Sequence, residues 1–256
     1  MANPNKATNP VKTTETTFAI VEGLMALDGA GVTELATHLE APKSTVHNYL
    51  STLEQEGYVT KEGTTYTVGI RFLELGSYAR SRMPIYDIAT PEVDRLAEAT
   101  GELANLLIEE HGRGVYIHQA RGERAVNVDA SVGAHVSLHE TALGKAILAH
   151  LPEERVDEIV DQYGLPRGTN RTISTRPALE SALETVRERG YAVDDEERLE
   201  GLRCVAAPIQ TTDGRVLGAV SVSGPVNRMR GTHFEEELPS QVLEAVNVIE
   251  LNVAYS

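Results

Sequence analysis

The sequence predicts an α/β chain in two parts: a winged helix-turn-helix at the N-terminus and, beyond a linker helix, a mixed sheet with flanking helices. Three observations lead there. Lys43 to Leu53 (K-S-T-V-H-N-Y-L-S-T-L) sets Val46, Leu50 and Leu53 at helical spacing, with Ser44, Thr45, His47, Asn48 and Ser51 on the other side. Tyr58 to Val68 alternates around Glu62-Gly63 as a two-stranded hairpin does. From Leu103 onward, strand-like apolar runs are interrupted by helical patterns.

In chain order, residues 1–12 read as disordered, and Thr13 to Leu27 as a helix with Phe18, Val21, Leu24 and Met25 on one face. Gly31 to Leu39 gives a second helix with Val32, Leu35, Ala36 and Leu39 inward. Ala41-Pro42 breaks it, because proline cannot continue a helix yet fits at the start of the next. Gly57 ends the third helix before the hairpin. Residues 13–69 therefore form the winged unit, and 70–82 a linker helix containing Leu73 and Leu75.

Residues 83–256 make the second domain. Pro91 to Thr100 is helical with Val93, Leu96 and Ala97 inward. N-L-L-I-E-E and G-V-Y-I-H-Q-A are strands around His111-Gly112-Arg113-Gly114, and A-V-N-V-D-A (125–130) is a third. Helical patterns follow at 144–151, 152–163 and 176–189. Strands return at Cys204 to Gln210 and Val216 to Ser223 across a Thr212-Asp213-Gly214-Arg215 turn, and Phe234 to Ala254 closes the chain as a long helix.

At 256 residues the chain exceeds one domain of about 100–200 residues. Its one cysteine, Cys204, rules out an internal disulfide and fits a reducing cytoplasm. No apolar run approaches the roughly 20 residues of a membrane span, and the first ten residues lack the apolar core of a signal peptide. A soluble cytoplasmic protein without membrane contact is expected.

The polar side of the third helix and its turn suit a DNA major groove, with Lys43, Ser44, Thr45, His47, Asn48 and Ser51 as reading residues and Lys61 on the wing. Charge argues the other way. The chain carries −15, and residues 1–80 hold only Lys6, Lys12, Lys43, Lys61, Arg71 and Arg80 against nine acids. Acid enrichment, five lysines and 5% aromatic residues point to a halophilic cytoplasm. There the Debye length shrinks to about 3 Å at 1 M salt, and repulsion by phosphates loses its range. Short-range hydrogen bonding then carries more of the binding to a double-stranded operator.

T-A-L-G-K-A-I-L (Thr141 to Leu148), G-Y-A-V-D-D-E-E-R-L-E-G-L-R-C-V-A-A-P-I (Gly190 to Ile209) and G-A-V-S-V-S-G-P (Gly218 to Pro225) closely resemble motifs of the IclR family of transcriptional regulators. The resemblance extends through S-T-V-H-N-Y-L-S-T-L-E-Q-E-G-Y-V and Y-T-V-G-I-R-F-L-E-L-G, covering residues 13–254. It implies that residues 83–256 are a GAF-like effector-binding domain for a small metabolite. It also implies homodimers through the N-terminal domains, in some cases paired into dimers of dimers, acting as repressors or activators. One departure stands out: many members carry Arg where this chain has Asn48, a side chain suited to adenine.

Motif by motif, the resemblance assigns the effector to the amides of Ala142 and Leu143, to Asp194, Cys204, Ser221 and Ser223, and to apolar walls Val128, Val136 and Leu202. Ser221 and Ser223, two apart on a strand, share a face. Plainer readings stand beside these: Asp194 in a solvated acid run, Cys204 as a small buried hydrophobe, the serines bonded to nearby backbone, Lys145 on a helix surface. Amides plus hydroxyls favour a carboxylate, sugar or sugar acid, and hence control of catabolic genes. The alternative is a metal-sensing regulator using His118, His135, His139 and Cys204, although nothing matches a closed zinc motif. No G-x-S-x-G, H-E-x-x-H or phosphate loop is present, so neither catalytic residues nor a cofactor are expected.

Overall fold

In the computed structural model, which describes residues 8–128 and 131–255, the N-terminal helices close on Ile20, Leu24, Leu35, Val46, Leu50 and Tyr66, all at most 2% exposed. They are α1 (Lys12–Ala26), α2 (Val32–His38) and α3 (Lys43–Gln55), followed by strands β1 (Val59–Glu62) and β2 (Thr65–Val68) and helix α4 (Arg71–Ser81). The chain divides into two compact units between Arg82 and Met83.

The wing pairs Val59 with Val68 and Glu62 with Thr65, leaving a two-residue loop whose first position, Gly63, has φ +61°. Tyr66 and Ala30 exchange both backbone hydrogen bonds, which ties the wing to the turn between α1 and α2. The helix expected from residue 13 begins at Lys12, and the remainder of the segment expected to be disordered lies outside the described residues for 1–7. Phe18 and Met25 are exposed, not inward. The inward stripe of α1 is Ile20, Val21, Gly23 and Leu24, because Gly23 lets α2 come close: a Cβ there would sit 2.8 Å from Leu35 Cδ1. An apolar count that skips glycine rotates this stripe off the true contact face.

The second unit contains α5 (Pro84–Thr100), β3 (Leu103–Glu110), β4 (Arg113–Arg121), β5 (His135–Val136), α6 (Ala142–Leu148), α7 (Glu153–Tyr163), α8 (Arg176–Arg189), β6 (Ala192–Asp195), β7 (Leu202–Gln210), β8 (Val216–Pro225) and α9 (Leu238–Ala254). A π-helical turn, His233–Glu237, leads into α9. The six strands lie in the order β5-β4-β3-β8-β7-β6, and every pairing is antiparallel. The sheet is thus antiparallel throughout, where the sequence reading expected a mixed one.

Helices cover both faces. Leu106, Ile108, Val205, Ala207, Val220 and Val222 pack with α5 and α9 residues such as Val93, Val242 and Ile249. Leu107, Tyr116, Cys204, Ala206 and Ala219 pack with α6 and α8. Burying each such large side chain stabilises the fold by about 1.5–3 kcal/mol. β4 carries one extra residue at Ile117, since Leu106 pairs with His118 and Leu107 with Tyr116. This bulge aims His118 at Asp94 of α5 and returns Gln119 to the α6 side, beside Asn105.

Three expectations change here. Helix α5 starts at Pro84, because Pro91 is accommodated inside it instead of opening it. The strand expected at 125–130 is irregular over 125–128, and 129–130 lie outside the described residues. The outer edge of β4 is instead taken by Gly133, Ala134 and β5, through bonds to Tyr116 and the Gly114–Val136 pair. The acid run beginning at Asp194 is partly a strand, β6, with Ala192 and Asp194 buried.

Gly144 in α6 sits against the 3-10 turn Leu138–Glu140 so closely that a Cβ would overlap the Leu138 carbonyl oxygen. Gly144→Ala is expected to destabilise the protein by about 1–3 kcal/mol through overpacking. The check is a lowered urea midpoint at unchanged m-value.

Candidate functional site

In the first unit, α3 turns Val46, Leu50 and Leu53 into the core and leaves Lys43, Ser44, His47, Asn48 and Ser51 exposed, with Thr45 half-buried. Its N-cap is Pro42, and no side chain caps it, so the first-turn amides point outward as donors. Lys61 is exposed on β1, its Nζ 4.9 Å above the Tyr66 ring. His47, Lys61, Thr64 and the start of α2 from Gly31 to Glu34 border one open hollow. The arrangement offers a polar helix face and a wing bearing Lys61 beside Glu62 to an extended partner, with Glu34 at the rim.

In the second unit, a narrow crevice lies between the first turn of α6 and strands β3, β8, β7 and β6. Eight of the nine residues singled out for an effector line it: Val128, Ala142, Leu143, Asp194, Leu202, Cys204, Ser221 and Ser223. Val136 lies apart, buried on the edge strand β5 against Gly114. The lining atoms approach so closely that a ligand larger than water enters only if side chains rearrange.

The polar side chains of this floor are held by one another and by their neighbours. Ser221 and Ser223 share one face of β8, and Asn105 Nδ2 lies 3.3 Å and 3.5 Å from their hydroxyls. Gln119 Nε2 donates to Asn105 Oδ1 at 3.0 Å. Thr141 caps α6 by accepting from Gly144 N at 2.9 Å, while the amides of Ala142 and Leu143 have no partner among the described residues. Arg198 donates to the Tyr116 hydroxyl at 3.1 Å, with its guanidinium 5.7 Å from the centre of that ring.

Lys145 is not on a helix surface. Every residue of α6 is buried, so a lysine there has no route to water, and Lys145 forms a buried ion pair with Glu197. The readings of Asp194 as solvated and of the serines as bonded to backbone give way to buried side chains facing the crevice. Asn105, Tyr116 and Arg198 were missed. Asn105 had a signal, a lone polar residue in the run Leu103 to Ile108; Arg198, inside an acidic stretch, had none.

The metal-sensing alternative loses its ligand set. His118 bonds Asp94 on the α5 side of the sheet, His139 bonds the Pro166 carbonyl, His135 is exposed, and Cys204 lines the crevice. Among the described residues no three His, Cys, Asp or Glu come together to hold a metal. Burial pushes the Cys204 thiol up, so it stays protonated.

Asp194 accepts a hydrogen bond from Glu197 N at 2.7 Å, yet burial dominates and raises its pKa to about 7. A carboxyl raised on folding favours the native state while protonated, and that contribution fades as pH climbs from the unfolded to the folded value. Stability is therefore expected to fall between about pH 4 and about pH 7. Asp194→Asn should lack this component, so the difference in urea midpoint between wild type and variant should favour the variant increasingly towards pH 7. A difference independent of pH would contradict the assignment.

Residues 13–63 match the IclR helix-turn-helix domain, and residues 78–251 match the bacterial transcriptional regulator IclR C-terminal domain. The chain is 35% identical to a probable HTH-type transcriptional regulator ArcR of Halobacterium salinarum, over 91% of this chain and 90% of that protein. It is 32% identical to the HTH-type transcriptional regulator KdgR of Escherichia coli, over 92% and 90%. The crystal structure of the Thermotoga maritima IclR superposes with a TM-score of 0.78 at 31% identity, covering 95% of this chain and 99% of that one. No helix among the described residues is long and apolar enough to cross a membrane. With a helix-turn-helix unit and a crevice-bearing sensor unit matched in order along nearly the whole chain, this protein belongs to the IclR family of DNA-binding transcriptional regulators and is not an enzyme.

Proposed function

We propose that this regulator reads a double-stranded operator through Ser44, Thr45, His47, Asn48 and Ser51 of α3, with Lys43 and Lys61 on phosphates. A carboxylate, sugar or sugar acid in the crevice of the second unit gates that binding. The observation that carries the reading is the convergence of amides at Ala142 and Leu143, hydroxyls at Ser221 and Ser223 and the carboxyl of Asp194 on one buried crevice, walled by Val128, Leu202 and Cys204. Val136 supports that wall from the core and does not touch the ligand. The regulated genes serve carbohydrate or organic-acid catabolism, because their substrates and products are the molecules such a crevice fits.

The protein works in the cytoplasm as a homodimer joined through its N-terminal unit, with a dimer of dimers as the larger assembly. Exposed Phe18 and Met25 on α1 and Leu73, Leu75 and Tyr78 on α4 supply apolar surface for that contact. The acidic reading unit suits concentrated salt, where hydrogen bonding and shape outweigh counterion release.

Selection of genomic fragments by the full-length protein in concentrated KCl, followed by anisotropy titrations, tests the reading. Asn48→Ala is expected to lose about 1–3 kcal/mol of discrimination between the selected site and a base-substituted one. Lys61→Ala should weaken all sequences alike. A gating organic acid should change operator affinity about 5–150-fold. Failure to enrich any fragment, or equal loss on all sequences for Asn48→Ala, would contradict the assignment of α3.

A further inference from the structure

We propose that Arg198 is the residue that makes the crevice selective for carboxylated effectors over their neutral counterparts, with Tyr116 as the residue that positions its guanidinium. This deepens the effector reading and rests on it.

Among the described residues the crevice lining holds one cationic side chain, Arg198, and one acid, Asp194. The nearby cation, Lys145, is engaged by Glu197 in a buried pair and is not among the lining residues. Charge selection for an anion is assigned to Arg198, whose planar guanidinium carries five N–H donors that a carboxylate can share with the groups already holding it. Its placement is fixed: the Tyr116 hydroxyl accepts from it at 3.1 Å, and the guanidinium lies 5.7 Å from the ring centre. Tyr116 is itself buried on β4, and burial raises its pKa to about 12, so it remains a neutral hydroxyl and no competing anion. Asp194 opposes an incoming carboxylate only when ionised, and burial holds it largely protonated below about pH 7. Asn105, Ser221 and Ser223 line the same crevice and present an amide and two hydroxyls to alcohol or carbonyl groups. The ligand class that fits is a small hydroxylated carboxylic acid.

The test is calorimetric titration of the full-length protein in concentrated KCl at pH 6.5 or about that value, below the Asp194 pKa. The probes are matched acid and amide pairs: lactate and lactamide, gluconate and gluconamide, 4-hydroxybenzoate and 4-hydroxybenzamide. Wild type is expected to favour at least one acid over its amide by about tenfold or more. Arg198→Gln should erase that ratio with little change in amide affinity, and Arg198→Lys should restore part of it. Tyr116→Phe, which keeps the ring and removes the hydroxyl, should lower the ratio severalfold. A ratio unchanged in Arg198→Gln overturns the proposal. Should Arg198→Gln fail to fold, Tyr116→Phe and Arg198→Lys decide it, and an unchanged ratio in both overturns it. Wild type binding the amides as well as the acids overturns the selectivity while leaving the effector crevice standing. Binding of none of the six overturns both.

Discussion

The structure depends on a sheet whose two faces obey different rules. The face towards α5 and α9 is mainly apolar, with His118 paired to Asp94 of α5, and stabilises the second unit chiefly by burial. The face towards α6 buries Asn105, Asp194, Ser221 and Ser223, groups that cost about 1–3 kcal/mol each if left without partners. Asn105 bonds the two serines and Asp194 accepts from the Glu197 amide, while the amides of Ala142 and Leu143 remain for something else. A scaffold that concentrates its polar groups on one side, under a fully buried helix, has sacrificed stability at a defined place. That place is the crevice.

The first unit shows the same economy with different parts. α3 is anchored by three buried side chains, and the wing by the Tyr66–Ala30 bonds, so the exposed polar face of α3 and Lys61 stay in fixed relation within one rigid body. Few cations are available to it. On the reading proposed above, discrimination through short hydrogen bonds is then the larger part of its interaction with DNA, and its acidity is tolerable where salt screens it.

Periodicity made the helices legible, down to the bounds of α8. It failed where one residue type carried two meanings. Pro91 resembled a start signal but lies inside α5, Gly23 hid the stripe of α1, and the acids after Val193 masked β6. The bulge at Ile117 has no signature in the sequence, although it changes which β4 side chains face which layer. For the site, sequence motifs found the groups on α6, β6, β7 and β8. They missed Asn105 and Tyr116, which reach the same crevice from strands outside the motifs, and Arg198, which lies within a motif but among acids that hide its role. Lys145 was misplaced because a short helix buried on all sides has no periodic signature.

The central claim is that ligand binding is centred on the polar floor beneath α6. Amide hydrogen exchange of the full-length protein, with and without a saturating organic acid, tests it most directly. The account predicts new protection concentrated at Ala142 and Leu143, in the segment from Asp194 to Leu202, and along β8 near Ser221 and Ser223. Protection confined to the surface helices α7 and α8, with those amides unchanged, would contradict it.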